Sequence, residues 1–332
     1  MPQLSDPLVT DKIKLKNRIV MPPMANDMSG PDGKVTDRHL KHYRTRAEAG
    51  VGLMIIEHSY VMPSGKMSAK QLGIHEDDLV PGLKTLADAV RSAGAASAIQ
   101  LNHAGANTTE AICGCQPVAP SDTPSPKQQA APRPLETGEI DDIVDAFRQA
   151  ARRAREAGFD AIEIHGAHGF LLNQFTSNYM NKRTDSYGGS LENRMRLPLA
   201  VIAAVRKETG PDYPLLYRFG ASDFLQGGLA LDEGQKIAPM LTGAGIDILD
   251  ISGGLCGSRP KDFAGIQGFF VPMAESIKKV VDVPVIAVGG ITDAIYANSV
   301  ITDGKADLVA VGRALLKNPA WAREALEKVS GF

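Results

Sequence analysis

Cysteine is scarce in this chain: 332 residues hold three, Cys113, Cys115 and Cys256. So few, so unevenly placed, exclude a disulfide framework and suit a reducing compartment. The C-x-C pair also falls short of the four thiolates that an iron–sulfur cluster or a closed structural zinc site requires. Charge of one sign is missing as well, since 36 Lys and Arg face 38 Asp and Glu for a net charge of -2. With no basic stripe to neutralise a phosphate backbone, nucleic acid is not expected as a partner. No apolar run approaches the ~20 residues that span a bilayer, and the N-terminal MPQLSDPLVTDKIKLKNRIV lacks a basic segment followed by an apolar one. The expectation is a cytoplasmic protein without a membrane partner.

What the chain does have is alternation. Short apolar, β-branched runs at residues 18–21, 53–57, 96–101, 161–165, 215–219, 248–252, 284–288 and 308–311 are separated by segments with helical spacing. Runs such as LMIIE, AIEIH and PVIAV are nearly continuous in hydrophobicity, as strands buried on both faces are. Eight such units predict a closed (β/α)8 TIM barrel, a fold that accommodates residues 1–332 as one domain. Helices are expected at 79–93, 140–157, 197–208, 232–244, 274–281 and 321–329, the clearest being 140–157, with Thr137 as N-cap and Gly158 as its end. Two regions break the rhythm. Residues 8–16 suggest an N-terminal hairpin under the barrel, and the Pro-, Ser- and Ala-rich segment 104–138 after strand three reads as a long lid loop.

Active sites of closed α/β barrels gather at the C-terminal ends of the strands. Here those ends carry Gln100 to Gly105, then His165 and His168, then Arg218, and finally the glycine pairs Gly289-Gly290 and Gly312-Arg313. Glycines after the last two strands let backbone N–H groups approach an anion, the usual phosphate position of this architecture. A single glycine there is as often a tight turn, so the argument rests on both together. Arg218 inside an apolar strand requires an anionic partner, and Glu163 or Asp250 would supply the plainest one.

These residues resemble a known family. Lys16-Asn17-Arg18-Ile19-Val20-Met21-Pro22-Pro23-Met24, Gln100-Leu101-Asn102-His103-Ala104-Gly105, His165-Gly166-Ala167-His168 and above all the run from Asn181 to Arg194, NKRTDSYGGSLENR, are similar to motifs of the Old Yellow Enzyme family. The likeness extends from about residue 5 to 325 in the right order. It implies FMN across the barrel mouth and NADH or NADPH as reductant. Pro22, Pro23, Met24 and Ala25 would lie by the isoalloxazine ring, with Gln100 on its pyrimidine edge and Arg218 facing N1 and O2. Gly254, Gly289, Gly290, Gly312 and Arg313 would hold the ribityl phosphate. His165 and His168 would polarise an unsaturated carbonyl substrate beside Phe170, with His165 also near the cofactor. Relatives of this kind often assemble as homo-oligomers, which is expected here too.

The chain departs from the pattern in four places. Phe170 stands where relatives place a proton-donating Tyr, which leaves water, Tyr179 or Cys256 as the acid. Ala25 replaces a Cys or Thr, His58 a small residue and Ala106 an Arg, and His58 is expected to touch the flavin. Three functions are compatible with these residues: an FMN-dependent ene-reductase with a substitute acid, a flavin-dependent isomerase or desaturase on a related carbonyl compound, and a flavin-free lyase on a phosphorylated sugar. The lyase wants a Lys at a strand end, and none of the eight strands ends in one.

Overall fold

The computed structural model describes residues 1–128 and 130–330. An antiparallel hairpin, β1 (Leu8–Val9) and β2 (Lys14–Leu15), precedes the first barrel strand, β3 (Ile19–Met21). Then follow α1 (Asp37–Glu48), β4 (Leu53–Tyr60), α2 (Val80–Ser92) and β5 (Ala96–Asn102). The segment after β5 contains α3 (Glu110–Cys113), β6 (Val118–Ala119) and β7 (Arg133–Pro134) before α4 (Thr137–Glu156). The chain continues through β8 (Ala161–Gly166), α5 (Leu171–Thr176), α6 (Leu191–Thr209), β9 (Leu215–Ser222), α7 (Leu231–Gly243), β10 (Ile248–Gly253) and α8 (Val271–Lys278). It ends with β11 (Val285–Ala287), α9 (Ala294–Thr302), β12 (Leu308–Ala310), α10 (Arg313–Lys317) and α11 (Trp321–Ser330).

Strands β3, β4, β5, β8, β9, β10, β11 and β12 close into a barrel in chain order, with β12 pairing back onto β3. Every barrel pairing is parallel, and β4, β8, β9 and β10 are buried along their whole length, which is why their sequences do not alternate. All eight expected strands fall in the barrel. Inside its lower half Val20, Leu53, Ile55, Ala98, Ala161, Leu216, Ile248, Ile286 and Leu308 pack together, and Leu8, Ile13 and Leu15 of the hairpin cap them from below. A second, larger apolar layer separates barrel and helices.

One expectation is corrected, and two regions hold more structure than the sequence indicated. The N-cap of α4 is Glu136 and not Thr137, because the Glu139 carboxylate reaches back to accept from the Glu136 N–H at 2.8 Å. Gly158 does stop the helix, with φ of 80°. The segment 104–138 is not structureless: β6 and β7 form a small parallel pair, and Arg133 holds Glu139 bidentately at 2.8 and 2.6 Å. Helices α1 and α9, invisible to the spacing of apolar residues, are present. Among the described residues no helix is long and apolar enough to cross a membrane.

Candidate active site

At the C-terminal end of the barrel lies a cavity of about 300 Å³. Each wall comes from a different strand end. Pro22, Pro23, Met24 and Ala25 follow β3, His58 lies on β4, Gln100 on β5, His165 on β8 with His168 and Phe170 just beyond, and Arg218 on β9. Gly289 and Gly290 follow β11, and Gly312 and Arg313 open α10. The sequence did not single out Met67, Lys127, Ser252, Ser258, Arg259, Val288, Ile291 or Leu316, which also line it. Lys127 brings the segment after β5 to the rim, its ammonium donating to the His168 carbonyl at 2.8 Å.

The two histidines form a chain whose direction is fixed. The Ala167 N–H donates to Nδ1 of His165 at 3.2 Å, so a neutral His165 carries its proton on Nε2. Nε2 faces Nδ1 of His168 at 3.3 Å, which must then accept, and His168 Nε2 keeps a proton that it gives to Ser252 Oγ at 2.7 Å. Burial holds both rings well below the ordinary histidine range, reinforced by the mutual charge of the pair at His165 and by Arg218 at both. At neutral pH each ring therefore offers one N–H and no positive charge. His168 itself has φ of 60°, a left-handed conformation, and its N–H is tied to the Gly253 carbonyl at 3.0 Å.

His58 is set in the same manner. Gln71 and Asn102 both donate to its Nδ1, at 3.0 and 3.2 Å, which leaves the proton on Nε2, and burial lowers its pKa to about 4. Its ring stacks on Phe170 with centroids 5.5 Å apart, while Phe170 meets His165 edge-on at 4.7 Å. An apolar ring thus occupies the space between two imidazoles, and nothing at position 170 can donate a proton.

Below the histidines sits a buried polar cluster. Gln100 Nε2 donates to Glu163 Oε1 at 2.8 Å, and Arg218 Nη1 lies 3.3 Å from Asp250 Oδ2. Register explains the grouping, since Gln100 pairs with Glu163 across β5 and β8, and Arg218 with Asp250 across β9 and β10. Nε and Nη1 of Arg218 nevertheless have no hydrogen-bond acceptor among the described residues. A guanidinium at the cavity floor with unused donors, and Gln100 with its amide oxygen turned away from Glu163, fit the carbonyl and imide edge of a flavin. At the opposite end, the amides of Gly289, Gly290 and Gly312 donate to no acceptor among the described residues, and the Arg313 side chain stands beside them, a fit for a phosphate group. These two observations make the residues present compatible with FMN.

Three expected site residues lie elsewhere. Gly254 does not line the cavity; its N–H is spent on the Ser222 carbonyl at 2.8 Å, and a Cβ there would collide with Asp223 Oδ1, so close packing accounts for the glycine. Cys256 turns its Sγ toward the Gly257 carbonyl at 3.5 Å, away from the cavity lining, and burial pushes its thiol up to about 12. Tyr179 packs against Ala106, Ala119, Met180 and Leu255.

A family profile described as NADH:flavin oxidoreductase / NADH oxidase matches residues 3–330. The chain belongs to that family. A member named NADH oxidase from Thermoanaerobacter brockii is 46% identical over 318 residues, 94% of this chain and 49% of that protein, so the chain spans about half of that relative. NADPH dehydrogenase of Clostridium acetobutylicum is 44% identical over 92% of this chain and 89% of its own length. Among solved structures, morphinone reductase superposes with a TM-score of 0.87 at 32% identity, covering 98% of this chain and 90% of that one. 2-Naphthoyl-CoA reductase gives 0.92 at 29% identity, covering 98% and 52%. Like its family, this member of the NADH:flavin oxidoreductases is an FMN-dependent enzyme that draws on a nicotinamide nucleotide.

The family's long motif has a place in this member, and it is structural. Asn181 Nδ2 bridges the Phe175 and Tyr187 carbonyls at 2.8 Å each, and Arg183 Nη1 clamps the carbonyls of Pro120 and Leu135 at 3.1 and 2.6 Å, the ends of β6 and β7. Arg194 joins the Thr176 carbonyl to Glu233. The motif fastens the segment after β5 to the loop that bears the histidines.

Proposed function

We propose that this enzyme reduces the activated C=C bond of α,β-unsaturated carbonyl compounds, with electrons from NADH or NADPH passing through FMN. The reading is carried by one observation: two neutral imidazoles, whose Nε2 protons are directed at His168 Nδ1 and Ser252 Oγ, share a cavity with a buried guanidinium and a set of unpaired glycine amides. FMN when bound supplies the hydride chemistry. Pro22, Pro23, Met24 and Ala25 would hold its ring, Gln100 and Arg218 would bind its pyrimidine edge, and Gly289, Gly290, Gly312 and Arg313 would hold its phosphate. His165 and His168 bind the acceptor's carbonyl oxygen. That oxygen would replace the contacts the rings make to His168 and Ser252, so its growing negative charge would meet oriented N–H dipoles. Phe170 and His58 form the apolar and polar sides of the acceptor pocket.

The proton for the α-carbon comes from water on this reading, since neither Cys256 nor Tyr179 borders the cavity. Reoxidation of the NADPH-reduced protein by cyclohexenone, followed at the flavin absorbance band, tests the function. Turnover in D2O should place one deuterium at the α-carbon. A colourless protein that leaves the spectrum of added FMN unshifted, or a reduced flavin that enones do not reoxidise, would remove the proposal.

A further inference from the structure

The floor of the cavity holds two carboxyl groups and, among the described residues, one cation beside them. Glu163 and Asp250 are both completely buried, and Arg218 is the charged group beside them. Their carboxylates are within hydrogen-bonding reach of each other, yet Glu163 Oε2 and both oxygens of Asp250 find no donor among the described residues. Two acceptor-only groups cannot face each other in a water-free interior, so one of them carries a proton. Geometry decides which. Asp250 lies 3.3 Å from the guanidinium and gains most from staying ionised, whereas Glu163 accepts from Gln100 on Oε1 and has Oε2 left to donate. Burial and the negative charge of Asp250 both raise Glu163 well above the carboxylate range; burial raises Asp250 too, but there Arg218 and the bond from Glu163 act against it.

We infer that a protonated Glu163 links Gln100 to an Asp250–Arg218 ion pair, and that Asp250, by partly neutralising Arg218, holds down the reduction potential of the flavin. The two carboxyl groups are positioning residues, since they reach the cofactor through Gln100 and Arg218. Glu163 fixes which end of the Gln100 amide faces the cavity: with Nε2 committed to Glu163, the oxygen is presented to the pyrimidine N–H. Asp250 sets how much of the guanidinium's charge remains for the negative charge that accumulates on the ring when it is reduced. The inference rests on the flavin edge lying against Gln100 and Arg218, as proposed above.

Potentiometric titration of the FMN-loaded protein tests it. Asp250→Asn removes the counter-charge and should favour the reduced flavin at least tenfold, an upward shift of about 30 mV for a two-electron couple. Glu163→Gln keeps a donor toward Asp250 and an acceptor toward Gln100, so its potential should match the native protein. Native protein should also show an infrared carbonyl band of a protonated carboxyl group that Glu163→Gln abolishes. An Asp250→Asn potential that is unchanged or lower overturns the inference. So does a Glu163→Gln shift as large as that expected for Asp250→Asn, because Glu163 would then be the charged partner; this arm stands even if Asp250→Asn fails to fold. Gln100→Met separates the two readings. If it leaves both spectrum and potential untouched, the flavin placement itself is wrong; if it moves them while Asp250→Asn does not, only the carboxyl pair is.

Discussion

On the proposed function, neutral imidazoles would bind a carbonyl oxygen without adding a full charge of their own, and the Ala167 to His165 to His168 to Ser252 chain fixes where each proton sits. Removing one aligned donor of this type costs about 10²-fold. His168→Ala is therefore expected to slow enone-driven reoxidation by about 10²-fold, measured by stopped flow, while flavin binding followed by its absorbance stays intact. Phe170→Tyr should act in the opposite direction. A phenol placed between His58 and His165 restores an acid, and net reduction of a slow acceptor should rise by roughly ten-fold or more; no gain would favour isomerisation or desaturation over reduction. Strand-end residues were legible in the sequence because the barrel dictates where strand ends point. Cys256, Tyr179 and Gly254 were not, since each sits where a loop's path, and not a strand's period, decides which way it faces. The Gly254 N–H is consumed by Ser222 across a register shift between β9 and β10 that no sequence pattern announces.

Among the elements, β6 and β7 of the segment after β5 are tied by one arginine at the residue that follows each of them. Arg183→Ala would strand the Pro120 and Leu135 carbonyls and free Asp185, whose pairing with Arg183 holds its carboxyl below the usual range. We expect a loss of about 1–3 kcal/mol, read as a lower unfolding midpoint, together with faster proteolysis between residues 120 and 135. Native cleavage rates in that variant would count against the brace. Lys127→Met, which removes the rim cation and its bond to His168, should alter acceptor KM more than kcat. Helix legibility followed the same physics as strand legibility. α4 announced itself by a clean apolar stripe, but α1 buries His39, Tyr43, Arg46 and Ala47, so its inner face is written partly in polar letters. α9 is short and carries apolar residues around most of its surface, which hides the period. The long NKRTDSYGGSLENR run identified the family at once, yet its role as a fastener emerges only from the hydrogen bonds.

For the molecule as a whole, buried histidines make stability depend on acid. His58 and His103 are depressed to about 4 and about 3 by burial, and His165 and His168 are also held well below the ordinary range. An unfolded histidine titrates near ~6.5, so between that pH and the folded value the unfolded chain binds the extra proton. Stability is thus complete above about 6.5 and declines as pH falls toward 4, with a slope near 1.4 kcal/mol per pH unit for each such group. Urea unfolding of the FMN-loaded protein at pH 7, 6 and 5 should show that decline, and His103→Gln should flatten it by one proton's worth. At this scale the sequence was most informative, because eight buried strands in chain order leave few alternatives to a closed barrel. What it hinted at only through VTDKIKL was the floor: Leu8, Ile13 and Leu15 seal the lower mouth. With that end packed shut, the proposed function brings nucleotide and acceptor in turn to the cavity at the other end of the barrel, and double-reciprocal plots at varied acceptor should give parallel lines.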